Sequence, residues 1–120
     1  TALKSDFLDA QRQSAFLYEK QGDSEAAKKL LEALVLKYPA DAELLFQLGR
    51  VYYNTKEIAR AILQFEETIR VASNHSNAHY ALGVAYEDTG KIKEAILEFE
   101  RVLELNPENE EVVKWLEKLR

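Results

Sequence analysis

Few side chains in this chain are placed to do chemistry. His75 and His79 stand four residues apart, a spacing that puts two imidazoles on one helix face and makes half of a metal site. No third ligand is indicated beside them, and His75 falls at an expected helix start, which argues against a metal role. Glu66 and Glu67, and again Glu98 and Glu100, form carboxylate pairs of the kind that general acid–base work uses. They stand among Lys and Arg on what should be an outer helix face, with Glu66 four residues before Arg70, so a solvated, ion-paired surface explains them. No Ser-His-Asp set, P-loop or Gly-rich phosphate turn occurs, and no Cys is available as nucleophile, metal ligand or disulfide partner. These residues predict no enzyme, no metal and no cofactor, and function is expected on a surface.

The elements that would build such a surface are set by a repeat. A step of 34 residues carries Tyr18 to Tyr52 to Tyr86, Ala15 to Gly49 to Gly83, Ala27 to Ala61 to Ala95, and Leu31 to Phe65 to Phe99. A period of this length means stacked supersecondary units that cover one another's apolar faces. The chain has 120 residues, 47% hydrophobic and 31% charged, with 4 Gly and 2 Pro, which predicts one all-α domain. A net charge of -5 argues against general affinity for nucleic acid, and no apolar run is long enough for membrane insertion. The lack of Cys fits cytosol or periplasm, with the cytosol favoured. Thr at position 1 and the absence of Met point to a segment excised from a longer protein over one with a trimmed initiator.

Repeats are assigned to 8–41, 42–75 and 76–109, with two helices in each: 8–20 and 24–38, 42–54 and 58–72, 76–88 and 92–105. Gly22 and Gly90 suit the turns of the outer two units, whereas the middle unit has Lys56 at that place and is expected to use Asn54 or Thr55 instead. Pro39 and Pro107 should end second helices, and Asp41 and Asn109 should each N-cap the next helix. Residues 110–120 set Val112, Val113, Trp115, Leu116 and Leu119 among Glu and Lys, which reads as an amphipathic helix closing the stack.

These residues resemble the tetratricopeptide repeat. Leu82-Gly83, Tyr86, Gly90, Ala95, Phe99 and Pro107 stand at its spacing, as do Leu48-Gly49, Tyr52, Ala61 and Phe65, and Tyr18, Gly22, Ala27, Leu31 and Pro39. The first unit departs with Ser14-Ala15 for Leu-Gly, and the second has Ser73 for the proline. RNA-reading pentatricopeptide arrays are similar but usually have a unit one residue longer. The resemblance implies a right-handed α-solenoid of three antiparallel helix pairs plus a C-terminal capping helix. It further implies that the inner stripe of each first helix lines a concave groove for peptides or partner helices. Carried over place by place, the groove holds Asp9, Arg12, Phe16, Glu19 and Lys20, then Glu43, Phe46, Arg50, Tyr53 and Asn54, then Asn77, Tyr80, Val84, Glu87 and Asp88.

Phe16, Phe46, Tyr53 and Tyr80 are aromatic where the packing pattern does not demand it, and aromatic anchors with Arg are favoured at binding hot spots. The alternative is that Phe16 or Phe46 pads the inner surface between adjacent first helices. Arg12, Lys20 and Arg50 precede Glu87 and Asp88, so a ligand with its acidic end toward the first repeats is expected to fit. Family members that clamp a terminal carboxylate use Lys, Asn, Asn, Lys and Arg at the places that here hold Arg12, Phe16, Gln47, Asn77 and Ala81, so a standard clamp is not expected. The reading is a non-catalytic scaffold for a protein or peptide partner. The alternative is a structural spacer that self-associates through an open N-terminal edge near Leu3, Phe7 and Ser14-Ala15.

Overall fold

A computed structural model describes residues 2–120, with side chains from Asp6 onward. Among the described residues the elements are helices alone: α1 (Ala2–Lys20), α2 (Ser24–Lys37), α3 (Ala42–Asn54), α4 (Ile58–Val71), α5 (Ser76–Asp88), α6 (Ile92–Leu105) and α7 (Glu110–Leu119). They pack in chain order as antiparallel pairs, α1 on α2, α3 on α4 and α5 on α6, with α7 against α6. The result is elongated, with extents of 46 × 29 × 21 Å.

Local sequence explains most boundaries. The Asp41 carboxylate accepts from the amide of Leu44 and the Asn109 side chain from that of Val112, both as N-caps. His75 occupies the same place of the unit, and its Nδ1 accepts from the amide of Ala78 at 3.1 Å. The second helices before Pro39 and Pro107 stop at Lys37 and Leu105. Two boundaries differ from expectation. The first helix begins at Ala2 rather than near residue 8, because the lead is built of helix formers and continues the first turn without a breaker. In the middle unit it is Lys56 itself, at φ 68°, that takes the left-handed turn conformation, and Asn54 and Thr55 do not. Three turns built to one geometry leave the middle residue no alternative, and packing overrides the steric penalty on its Cβ.

The core follows the repeat. Ala15, Ala27, Leu31, Ala61, Phe65, Ala95 and Phe99 are buried, and the close helix approaches sit at the expected small residues. A Cβ on Gly49 would lie 2.6 Å from the Phe65 ring, and one on Gly83 would lie 2.5 Å from the Phe99 ring. The tyrosine series is less uniform. Tyr52 donates its hydroxyl to Glu32 at 2.5 Å, and Tyr86 donates to Glu66 at 2.7 Å, each reaching back to the second helix of the preceding pair. Tyr18 has no pair before it within the chain and stays 38% exposed, so it is not the core residue its place predicts.

That clasp also corrects the reading of the acidic pairs. Glu66 serves Tyr86, and Arg70 pairs with Glu67, not with Glu66. Glu98 lies 2.6 Å from His79 Nδ1, and Glu100 accepts from Arg120. Glu66 thus joins two helix pairs and Glu98 the two helices of one pair, while Glu67 stays on an exposed face, paired along its own helix.

Candidate functional site: the inner groove

The inner faces of α1, α3 and α5 line up side by side, and two recesses open between them. Between α3 and α5 lies a mainly apolar cavity of ≈ 250 Å³, walled by Phe46, Tyr53, Tyr80 and Val84, with Arg50 and Asn77 at its border. Phe65 and Ala81 complete the lining. Between α1 and α3 lies a wider, more polar recess of ≈ 690 Å³, bounded by Asp9, Arg12, Phe16 and Glu43, and sharing Phe46, Arg50 and Asn77 with the first. Ten of the residues nominated from sequence therefore meet in two adjoining spaces: Asp9, Arg12, Phe16, Glu43, Phe46, Arg50, Tyr53, Asn77, Tyr80 and Val84. Glu19, Lys20, Asn54, Glu87 and Asp88 line neither, and all five sit in the last turn of their helices.

Three lining residues were missed by the stripe assigned from sequence: Gln13, Gln47 and Ala81. All occupy the sixth place of the unit, four residues after the second place, so helical spacing puts them on the same face. Phe65 is 2% exposed and belongs to the core, yet its ring also contributes to the cavity wall.

Aromatic packing makes the walls firm. The Phe46 ring lies 5.6 Å from that of Phe65 and 5.0 Å from that of His75. Tyr80 meets Phe99 edge-on at 5.8 Å, and Phe99 stacks on Trp115 of α7 at 5.3 Å. Phe16 is 44% exposed, with the Lys20 ammonium 5.1 Å from its ring centre. Phe46 thus does part of the padding assigned to it in the alternative reading, whereas Phe16 covers little.

Hydrogen bonds tie each inner helix to the next. Gln47 donates to the carbonyl of Arg12 at 3.1 Å, and Arg50 pairs with Glu19 at 3.1 Å, joining α1 to α3. Glu43 meets His75 Nε2 at 2.8 Å, and the Tyr53 hydroxyl donates to Asp88, joining α3 to α5. Tyr80 donates to Glu111 and accepts from the Trp115 indole, joining α5 to α7. The bond to Asp88, with burial second, pushes the Tyr53 phenol up to about 12, and burial followed by the Glu111 bond raises Tyr80.

Two of the three groove cations named from sequence are ion-paired, and the third, Lys20, lies over the Phe16 ring. Arg12 pairs with Asp9 at 2.9 Å and Arg50 with Glu19, so these two arginines do not present an open positive end. The two histidines are held apart in function. His75 caps α5 and meets Glu43, while His79 lies between Glu98 and the Ser73 carbonyl. Among the described residues no group of three or more His, Cys, Asp or Glu could hold a metal, and no helix is long and apolar enough to cross a membrane.

Sequence profiles described as tetratricopeptide repeat match residues 15–70 and 76–109. The chain belongs to the tetratricopeptide repeat family. Solved tetratricopeptide structures share its architecture. The first such domain of Spaghetti (RPAP3), bound to the HSP90 peptide SRMEEVD, is 25% identical, with a TM-score of 0.87 over 92% of this chain and 87% of that one. The second domain of human RPAP3, in complex with an HSP70 peptide, is 26% identical at a TM-score of 0.84, over 91% of each chain. The Yersinia enterocolitica type III secretion chaperone SycD, in complex with a peptide of the translocator YopD, has a TM-score of 0.90 over 99% of this chain and 96% of that one. At 19% identity that likeness concerns the fold alone. Among curated proteins none matches the sequence of this tetratricopeptide chain.

Proposed function

We propose that this tetratricopeptide chain is a non-catalytic scaffold that holds a peptide or helix of a partner protein in its inner groove. One observation carries the reading: an apolar cavity walled by Phe46, Tyr53, Tyr80 and Val84 opens beside a polar recess, on a surface the repeat pattern does not need for packing. The peptide complexes of the RPAP3 domains support it, because those domains share this fold and are bound to an HSP90 or an HSP70 peptide. The mechanism is preorganisation. Helices tied by Gln47, Arg50, Tyr53 and Tyr80 present their side chains in place, so that the ordering entropy falls mainly on the ligand.

The test uses peptides selected by display on the immobilised full chain. Replacing Phe46 and Arg50 together with Ala should weaken their capture strongly while circular dichroism shows the helix content retained. Equal capture by a folded double variant sinks the reading.

A second reading, self-association through the α1 edge, is favoured by one observation. Phe7, Leu17 and Tyr18 are exposed on α1, and Tyr18 lacks the glutamate that Tyr52 and Tyr86 each find. The side chain of Leu3 lies outside the described residues. Light scattering over a concentration series tests it, and a strict monomer at high concentration rejects it.

A further inference from the structure

Resting on the groove reading, we propose that the preferred occupant is a segment with one large apolar side chain flanked by Lys or Arg, and not an acid-tailed C-terminus. The apolar part follows from the cavity between α3 and α5, whose ≈ 250 Å³ and aromatic walls suit a single Leu, Ile or Phe side chain. The basic part follows from what stands at its border. The Tyr53 wall ends on Asp88 and the Tyr80 wall ends on Glu111, and a tyrosine hydroxyl bonded to a carboxylate leaves that carboxylate's charge in place. Glu87 stands one helical turn beyond Val84, and among the described residues it has no ionic or hydrogen-bonded partner.

No cation is paired with Glu87, Asp88 or Glu111 among the described residues. Lys114 and Lys118 do share a separate recess with Glu111, and Lys118 lies over the Trp115 ring, so the unopposed negative end is at Glu87 and Asp88. The raised phenol of Tyr53 reports the same field, since the charges of Asp88 and Glu87 add to the effect of its hydrogen bond. At the other end Arg12 and Arg50 are taken by Asp9 and Glu19, and Lys20 lies over the Phe16 ring and lines neither recess. Asn77, at the junction of the two recesses, carries an exposed carboxamide with no partner among the described residues. It stands at a place where the carboxylate-clamp pattern has Lys, and an amide there can bond the main chain of an extended segment but cannot neutralise a terminal carboxylate.

The experiment selects random displayed peptides on the full chain and reads both their composition and their affinity for three proteins: the wild type, Val84→Gln, and Glu87→Lys with Asp88→Lys. The expected result is enrichment of Lys or Arg beside one aliphatic or aromatic residue. Binding should be lost in Val84→Gln and weakened about three- to tenfold in the charge-reversed variant. Peptides lost in Val84→Gln that are acid-rich, that need a free C-terminus, or that ignore the charge reversal would overturn this proposal and leave the groove reading standing. Peptides that bind a folded Val84→Gln as well as wild type, or a selection that yields none, count against the groove reading and the proposal together. Circular dichroism on both variants separates loss of binding from loss of fold.

Discussion

The Tyr53 phenol on α3 donates a hydrogen bond to Asp88 at the C-terminal end of α5, so adjacent inner helices are fastened at one end of the groove. The two residues stand 35 positions apart, one more than the repeat, and the bond therefore runs between units rather than within one.

This bond makes the fold sensitive to alkali. The Tyr53 phenol is pushed up to about 12 by its bond to Asp88 and by burial, and Tyr52 is pushed up to about 12 by burial and its bond to Glu32. A folded-state value above the unfolded one of 10.0 means that the unfolded chain releases these protons first. Their contribution is complete below pH 10 and is lost as pH rises toward 12. Thermal melts stepped across that window should show a falling Tm, and Tyr52→Phe with Tyr53→Phe should flatten the fall. An unchanged slope in the double variant rejects the assignment.

Lys56 holds φ at 68° at a place where the other two turns have glycine. Lys56→Gly removes the clash of the Cβ in that conformation and keeps the backbone bond from its amide to the Tyr53 carbonyl. The net gain should be about 0.5–1 kcal/mol, since relief of strain outweighs the added freedom of the unfolded chain. Urea unfolding of the two proteins measures it, and a loss of stability refutes it.

Gly83→Ala acts in the opposite direction. The new methyl would meet the Phe99 ring at 2.5 Å, and Phe99 cannot retreat freely because Tyr80 and Trp115 pack against it. A cost of about 1–3 kcal/mol is expected, with Trp115 fluorescence altered as α7 shifts. Chemical denaturation monitored by that tryptophan reads both effects.

His79 is 6% exposed, with Glu98 on one ring nitrogen and the Ser73 carbonyl on the other. His79→Ala and Glu98→Ala should each cost about 1–3 kcal/mol, because each strands the other's polar atoms. The double variant should cost clearly less than the sum, by about 0.5 kcal/mol or more. Strict additivity in a double-mutant cycle would show that the two do not act as a pair.

Much of the fold was legible because packing in a repeat is enforced at every copy. Gly49 and Gly83 announce close helix contact, Phe65 and Phe99 fill the seam, and Asp41 and Asn109 start helices, each through interactions a few residues or one unit away. Places that depart from the pattern were harder. The role of His75 as a cap was hidden because His at the N-cap place reads as chemistry, although Asp41 and Asn109 at the same place give the signal. Lys56 was misjudged because local preference disfavours its conformation and only the shared turn geometry imposes it. For the groove, helical spacing brings together Phe46, Arg50 and Tyr53 and also reaches Gln13, Gln47 and Ala81, which the stripe of places taken from the sequence omits.

The amino-acid sequence by itself determined the all-helical stack, its period, its core and the face on which non-repeating residues collect, because these depend on spacing along the chain. Only the tertiary structure decided how the charges on that face are used. Arg12 finds Asp9 one turn away on its own helix, but that Arg50 finds Glu19 across to α1 and Tyr53 finds Asp88 across to α5 does not follow from counting residues. Long polar side chains have several partners within reach, and the one that is taken depends on the distance between neighbouring helices. Gly49 and Gly83 fix the spacing within a pair, α3 on α4 and α5 on α6, and the way those pairs stack on one another settles which charges the groove still offers.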